Sequence, residues 1–139
     1  MENIDDLLKC TKENTRDYCF KDQVKQCKVL DIYDGDTITI AIKLENIIFK
    51  RKVRMYGYDS PEMRPSKKLE NRDEIKKNAL ISKQILCDKI LNKIVNIKIL
   101  GFDKYGRILG IIYYENEDIN DFMVKNNYGY SYFGGTKKK

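Results

Sequence analysis

The chemistry that this sequence offers depends on six charged residues in three short motifs: Asp34, Asp36, Arg54, Asp59, Glu62 and Arg107. The motifs are Asp34-Gly35-Asp36-Thr37, the stretch from Arg54 to Asp59-Ser60-Pro61-Glu62, and Asp103-Lys104-Tyr105-Gly106-Arg107. Carboxylates bind hard metal ions and accept protons, and guanidinium groups bind phosphate oxygens through paired N–H donors. The set therefore indicates phosphodiester cleavage, a reaction that needs no histidine.

Each motif also has a purely structural interpretation. Asp34-Gly35 between two β-branched runs is typical of a hairpin turn, and Ser60-Pro61-Glu62 is typical of a helix start. Gly106 suits a turn that needs a positive φ. Taken alone, the first two motifs favour structure over chemistry. Their occurrence with the third, in this order and around one strand pattern, favours chemistry.

The composition limits the possible reaction classes. The 139 residues include no histidine, and the formal net charge is +6. The absence of histidine excludes Ser-His-Asp triads, Cys-His pairs, histidine-dependent nucleases and zinc deaminases. Proton transfer must therefore use carboxylates, lysine, tyrosine, arginine or metal-bound water. The positive charge fits a polyanionic partner such as nucleic acid, although charge alone is a weak indicator.

The four cysteines do not predict a zinc site. They are Cys10, Cys19, Cys27 and Cys87, with no C-x-x-C pair among them. Two interpretations stay open: reduced, partly buried thiols, which we favour, and a disulfide among the three N-terminal cysteines.

Length and hydropathy indicate one domain that does not cross a membrane. No apolar stretch approaches the roughly 20 residues of a membrane span, and the first residues lack the apolar core of a secretory signal. We expect an intracellular monomer, unless a signal lies outside this sequence. A viral or virion-associated protein is compatible with this expectation.

Alternating apolar residues predict a small β barrel. The predicted strands are 29–33, 37–43, 47–56, 94–100 and 107–114. An amphipathic helix is predicted over 74–91, between the third and fourth strands, with Asp73 as its N-cap, and a short helix is predicted over 120–125. This order is typical of an α+β, mainly β fold: a five-stranded OB-fold Greek-key barrel with a short C-terminal helix.

The chain divides into three predicted segments. Residues 1–22 form an N-terminal arm with a short helix that Asp5 caps and that runs to about Lys12. Residues 23–136 form the barrel domain, and residues 137–139 form a basic tail.

The three motifs together closely resemble the staphylococcal nuclease (thermonuclease) family. The resemblance covers roughly residues 26–126. The residues that carry it are Tyr33-Asp-Gly-Asp-Thr37, Arg54 with Asp59-Ser-Pro-Glu62, Asp103-Lys-Tyr-Gly-Arg107, and Asn120. It implies an OB-fold barrel with helices and a nuclease that cleaves DNA and RNA using calcium.

The resemblance also implies a calcium site. Asp36 and Asp59 match the metal-binding carboxylates of the family. Ser60 stands where the family usually has threonine and contributes its backbone carbonyl, so serine should be tolerated. Asp34 matches an acid that lies near the metal without binding it. Two aspartates, a carbonyl and several waters satisfy Ca²⁺, which prefers six to eight oxygen ligands.

The remaining matches concern catalysis and substrate. Glu62 matches the proposed general base, and Arg54 and Arg107 match the phosphate-binding arginines. Lys104 and Tyr105 match residues that contact a nucleotide phosphate.

The C-terminal region departs from the family pattern. Family members often continue with a long final helix, whereas this sequence stops soon after Gly134-Gly135-Thr136. Two interpretations of its aromatic residues carry equal weight: a wall on which bases stack, and an edge that packs on the barrel. Tyr130 and Tyr132 are our candidates for substrate contact.

We therefore expect a calcium-dependent nuclease that hydrolyses DNA and RNA, preferably single-stranded, with little sequence specificity. By the resemblance it leaves 3′-phosphate ends. The alternative is a non-catalytic nucleic-acid-binding module of the same fold, and a scaffold protein is the third class. Catalytically dead relatives typically lose the charged residues that are all present here, which disfavours the module.

Overall fold

A closed β barrel forms the centre of the computed structural model, which describes residues 4–16 and 21–133. Along this part of the chain the elements are α1 (Asp5–Leu8), β1 (Val24–Asp34), β2 (Thr37–Leu44), β3 (Ile47–Met55), β4 (Gly57–Asp59), α2 (Arg72–Ile90), β5 (Ile94–Phe102), β6 (Ile108–Tyr114), β7 (Glu117–Asp118), α3 (Ile119–Lys125) and β8 (Tyr130–Tyr132).

The barrel consists of five strands in the order β3-β2-β1-β5-β6. Neighbouring strands run antiparallel, and a parallel pairing between β3 and β6 closes the barrel. Strand β7 extends the β6 edge, and β4 pairs with β8 in a separate two-stranded sheet. The predicted α+β barrel is thus confirmed, with helix α2 between the third and fourth barrel strands.

The alternation of β2 explains why this chain closes around one core. Ile38, Ile40 and Ile42 are buried, whereas Thr39 and Ala41 between them keep part of their surface exposed. Burying each isoleucine contributes about 1.5–3 kcal/mol. A one-residue slip of β2 would expose all three, so the pattern fixes the register. Helix α2 packs against β1 with one buried face, formed by Ala79, Ser82, Leu86 and Ile90.

Both predicted helix caps are wrong. Helix α2 begins at Arg72, because the backbone N–H of Ile75 already donates to the carbonyl of Asn71 at 3.0 Å. Asp73 therefore lies inside the first turn, where its charge is favourable beside the helix N-terminus. Asp5 likewise lies inside α1, which has Ile4 at its N-cap and ends at Leu8.

The thiols of the described chain are free. Cys10 is exposed, Cys87 is half-buried and Cys27 is buried. Burial raises the pKa of the Cys27 thiol to about 12, so this group stays protonated. Cys19 and the predicted tail 137–139 lie outside the described residues.

No helix in the described ranges is long and apolar enough to cross a membrane.

Candidate active site

Asp36 and Asp59 lie beside the same guanidinium group, that of Arg54. Arg54 Nη1 is 3.3 Å from Asp36 Oδ2, and Arg54 Nη2 pairs with Asp59 Oδ1. Both aspartates are buried, with 7% and 6% of their surface exposed. Two carboxylates in such a place need a nearby cation, because burying an unpaired charge is costly. We call these three residues the acidic cluster.

Backbone carbonyls fix the position of Arg54. Its Nη1 donates to the carbonyl of Met55 at 3.1 Å and to that of Tyr58 at 2.8 Å. The second contact requires the chain to reverse just after β3, and Gly57 allows this with a φ of +97°. The same reversal delivers Asp59 to the guanidinium.

Hydrogen bonds also fix Asp36. Its Oδ2 accepts from the backbone N–H of Ser60 at 2.8 Å and from Ser60 Oγ at 3.1 Å. Its Oδ1 accepts from Thr37 Oγ1 at 2.9 Å. The backbone of Ser60 is therefore held next to the carboxylates, where the sequence predicted a carbonyl ligand.

The turn between β1 and β2 is packed tightly against this region. A Cβ atom on Gly35 would lie 2.0 Å from Ser82 Oγ and 2.7 Å from the Cβ of Ser60. The hydroxyl of buried Tyr58 donates to the Gly35 carbonyl at 2.6 Å. Only glycine fits here, so Gly35 has a packing role in addition to its place in the turn.

Asp34 is a second acid beside Asp36. A register irregularity between Ile32 and Asp34 turns the end of β1, as bulges near functional sites often do. The Oδ1 of Asp34 then accepts from the backbone N–H of Asp36 at 3.0 Å. Burial, followed by the negative charge of Asp36, raises the pKa of Asp34 to about 7. Its charge is thus partly suppressed at neutral pH.

Arg107 lies on the turn between β5 and β6 and pairs with Asp103. Arg107 Nε donates to Asp103 Oδ2 at 2.6 Å, and the backbone N–H groups of Tyr105 and Arg107 donate to Oδ1. Desolvation of Asp103 is outweighed by these hydrogen bonds, which lower the pKa of its carboxyl. Lys104 Nζ and the guanidinium of Arg107 lie 5.2 and 5.5 Å from the Tyr105 ring centre. We call residues 103–107 the basic turn.

Strand pairing brings the basic turn next to the strand that carries Arg54. Ile108 pairs with Val53, and Leu109 pairs with Arg54. Arg51 Nη2 also donates to the Gly106 carbonyl at 3.1 Å, which ties the turn to β3. The two arginines predicted to bind phosphate therefore sit on neighbouring elements of the barrel.

Glu62 and the two candidate tyrosines surround this region on irregular or short elements. Glu62 is exposed on the loop that follows Asp59 and Ser60. In the pairing of β4 with β8, Tyr130 lies opposite Asp59 and Tyr132 lies opposite Gly57. Tyr132 also lines a cavity of about 170 Å³ together with Arg54, Leu109 and Phe133.

Tyr58 and Asn120 help to position the site through hydrogen bonds, a role that the sequence motifs did not predict. The pKa of fully buried Tyr58 lies well above its usual value because of burial and then the charge of Asp36. The side chain of Asn120 donates to the carbonyls of Tyr56 and Gly110 and accepts from the N–H of Ile112. Asn120 thus fastens α3 to the strands beside Arg54. Sequence reasoning noted Asn120 only as part of a resemblance.

The donor set of the acidic cluster fits a hard cation. Within residues 4–16 and 21–133, no group of three or more His, Cys, Asp or Glu side chains is arranged to hold a metal ion. Asp36 and Asp59 are two carboxylates that already face one cationic group, with the Ser60 backbone beside them. Calcium accepts such a small set, because water can complete its coordination.

Fold and site together define an OB-type barrel with an acidic cluster and a basic turn on adjoining strands. The family of staphylococcal nuclease homologues matches residues 52–139 of this chain, which belongs to that family. The match includes Arg54, Asp59, Glu62 and Arg107 and begins after the turn that holds Asp34 and Asp36.

Two curated relatives are similar to about three quarters of this chain. A protein named as an uncharacterized endonuclease from Haemophilus influenzae is 34% identical over 106 residues, which are 76% of this chain and 52% of that protein. An uncharacterized protein of Bacillus anthracis is 33% identical over 102 residues, which are 73% of this chain and 45% of that protein. The chain spans about half the length of these relatives.

Proposed function

We propose that this protein is a calcium-dependent nuclease that hydrolyses DNA and RNA, preferably single-stranded, with little sequence specificity and with 3′-phosphate products. The observation that carries the proposal is the buried contact of Arg54 with Asp36 and Asp59, on a strand that pairs with β6, which follows Arg107. Membership of the staphylococcal nuclease homologue family and the endonuclease name of one relative support nuclease activity. The calcium requirement, substrate range and product ends rest on the resemblance.

Asp36, Asp59 and the Ser60 carbonyl are the groups that would hold calcium. The hydrogen bonds to Asp36 and the guanidinium of Arg54 keep these oxygens in place before any ligand arrives. Bound there, calcium would neutralise the phosphate and polarise it for attack by water. Asp34 adds negative potential nearby without being required as a ligand.

Glu62 is the proposed general base. Its carboxylate would accept the proton of the attacking water as the new P–O bond forms. Its exposed position on the loop after Ser60 leaves it accessible to solvent. Positioned acid–base groups of this kind typically contribute about 10²–10⁴-fold to a rate.

Arg54 and Arg107 are the proposed phosphate-binding residues. Negative charge grows on the phosphoryl oxygens during attack, and planar guanidinium groups match those oxygens with paired donors. A preorganised donor of this kind is worth about 3–4 kcal/mol. Asp103 accepts a hydrogen bond from Nε of Arg107. The two Nη groups of Arg107 are therefore the donors that we expect to bind a phosphate. Lys104 and Tyr105 would contact a neighbouring phosphate.

Tyr130 and Tyr132 are the proposed base contacts. The cavity that Tyr132 shares with Arg54 and Phe133 is mostly apolar in its lining, as a stacking site requires. Stacking of this type tolerates any base, which agrees with low sequence specificity.

The test is incubation of plasmid DNA and of RNA with the purified protein, in calcium or in chelator. We expect cleavage of both substrates with calcium and none with chelator. Binding without cleavage in calcium would assign the protein to the non-catalytic modules. The absence of both would assign it to the scaffold class.

A further inference from the structure

A row of outward basic side chains runs along β3 to Arg54. Strands β2 and β3 pair without a register shift from Leu44–Ile47 to Thr37–Arg54, so side chains alternate strictly along this part of β3. Lys50, Lys52 and Arg54 therefore share the outer face, whereas Val53 between them is buried. Successive members of the row are about 6.6 Å apart, because a strand rises about 3.3 Å per residue.

A groove accompanies this row. On β2, the side chains of Thr39 and Ala41 are short, and they pair with Lys52 and Lys50 on one side. On the other side Ala41 pairs with Lys28 of β1. Short residues between longer ones leave a depression of about 480 Å³, which Thr39, Lys50 and Lys52 line together with residues of β1.

The groove carries a net positive charge. Lys50 and Lys52, which line it, are exposed, and among the described residues neither forms a salt bridge with an acid. Asp31 is the acid that lines the groove, and its Oδ1 accepts from the N–H of Ile32 at 2.9 Å. Arg51 also lines the groove, and its guanidinium donates to the Gly106 carbonyl and lies over the Phe102 ring.

We infer that this groove, lined by Lys50, Arg51 and Lys52, binds the phosphate backbone of a single nucleic-acid strand that continues beyond the bond at Arg54. The inference rests on the proposed function, since it extends the substrate path away from the acidic cluster. Its support is the alignment of the lysines with Arg54 on one strand and one face. A sugar–phosphate backbone held at Arg54 would contact Lys52 and then Lys50 as it follows β3.

The rival occupant is an anionic lipid surface. The hairpin beyond the lysines exposes Ile47 and Ile48, with 57% and 66% of their surface accessible. These apolar residues lie at the far end of the row from Arg54. A membrane would engage the hairpin tip, whereas a substrate strand engages the lysines nearest to Arg54, and the continuity of the row favours the strand.

The experiment measures binding of a long fluorescent oligothymidylate and of a thymidine mononucleotide, both in chelator so that no cleavage occurs. The variant is the double substitution Lys50→Gln and Lys52→Gln. Each phosphate contact contributes about 0.7 to the slope of log affinity against log salt for a single strand. We expect the slope for the long strand to fall by about 1.4 and its affinity near 0.1 M salt to fall on the order of tenfold. The affinity for the mononucleotide, which is too short to reach the lysines from Arg54, should stay unchanged.

The matched control is the double substitution Lys76→Gln and Lys77→Gln on α2, which removes the same charge elsewhere. An unchanged slope in the Lys50 and Lys52 variant overturns the inference, and so does an equal fall in both variants. Loss of binding to vesicles of anionic lipid, with oligonucleotide binding intact, also overturns it and assigns the face to a membrane. Failure of the proposed function appears separately, as binding of the wild-type protein without cleavage in calcium.

Discussion

Arg54 pairs with two aspartates and Arg107 with one, and the two regions around them differ in exposure and charge. The Arg54 side chain is 15% exposed and contacts two carboxylates and two backbone carbonyls. The Arg107 side chain is 28% exposed and pairs with Asp103 alone on a turn. The acidic cluster has more carboxylates than guanidinium groups, whereas the basic turn has two cations beside one carboxylate.

This difference in charge suits the two regions to different ligands. The acidic cluster is built into the barrel, and its excess negative charge suits a metal cation. The basic turn is more accessible, and its excess positive charge suits a phosphate. A ligand with both a cation and a phosphate would therefore satisfy the two regions at once.

Substitution of either arginine should cause the greatest loss of activity, but only one of the two variants should also lose stability. Arg107→Lys should lower the cleavage rate about 10²–10³-fold, because lysine cannot present paired donors to the phosphate. Its melting temperature should stay close to that of the wild type. Arg54→Lys should lose similar activity and also melt at a lower temperature, because one ammonium group cannot serve two buried carboxylates.

Rates on single-stranded DNA with calcium, together with thermal melts, check this prediction. Arg72→Lys is the matched control, since that guanidinium contacts only the Pro65 carbonyl among the hydrogen bonds of the described chain. Near-wild-type turnover in a folded Arg107→Lys variant would remove Arg107 from the phosphate site.

Glu62→Gln should lower the cleavage rate without removing a group that we expect to bind calcium or phosphate. The amide keeps the shape of the side chain but cannot take a proton, so we expect turnover to fall about 100-fold. Calcium affinity should change little. Rates at saturating calcium, with the loop variant Glu70→Gln as control, measure the effect. If Glu62→Gln abolished calcium binding while Asp36→Ala left it intact, the roles of base and ligand would be reversed.

Replacing calcium with magnesium tests the acidic cluster directly. Magnesium needs near-octahedral geometry with ligands at about 2.0–2.1 Å and gives up water reluctantly. Drawing Asp36 and Asp59 together around the smaller ion should displace the phosphate, and a shift of about 1 Å costs on the order of 100-fold in rate. Rates after chelator treatment, at matched concentrations of each ion, provide the measurement. Equal rates would contradict the assumed calcium specificity.

A smaller effect is predicted for the dependence of folding stability on pH. Asp34 has a folded-state pKa of about 7 against an ordinary value of 3.8. The folded state therefore binds more protons than the unfolded state between these values, so stability should fall as pH rises from about 4 to about 7. Asp34→Asn should flatten this part of the profile of melting temperature against pH in chelator. The exposed control Asp73→Asn should keep it, and an unchanged slope in Asp34→Asn would show that another group is responsible.

Sequence periodicity predicted the barrel because alternation in strands such as β2 is a local pattern. The residues of the acidic cluster were predicted from the family resemblance of their motifs, not from periodicity. In the structure the hairpin of β2 and β3 pairs Thr37 with Arg54 and so brings Asp36 near the guanidinium. The arrival of Asp59 depends on the reversal at Gly57, which only the tertiary structure shows. The contact of Tyr58 with Gly35 and the pairing of β4 with β8 were missed for the same reason.

Calcium titration calorimetry without nucleic acid shows whether the acidic cluster binds the metal independently of the basic turn, with Asp36→Ala and Arg107→Lys as the two variants. We predict that Asp36→Ala weakens calcium binding by at least about tenfold, whereas Arg107→Lys leaves it unchanged. Thermal melts confirm that both variants are folded. Unchanged calcium binding in Asp36→Ala, or an equal loss in Arg107→Lys, would contradict the division between an acidic metal site and a basic phosphate site.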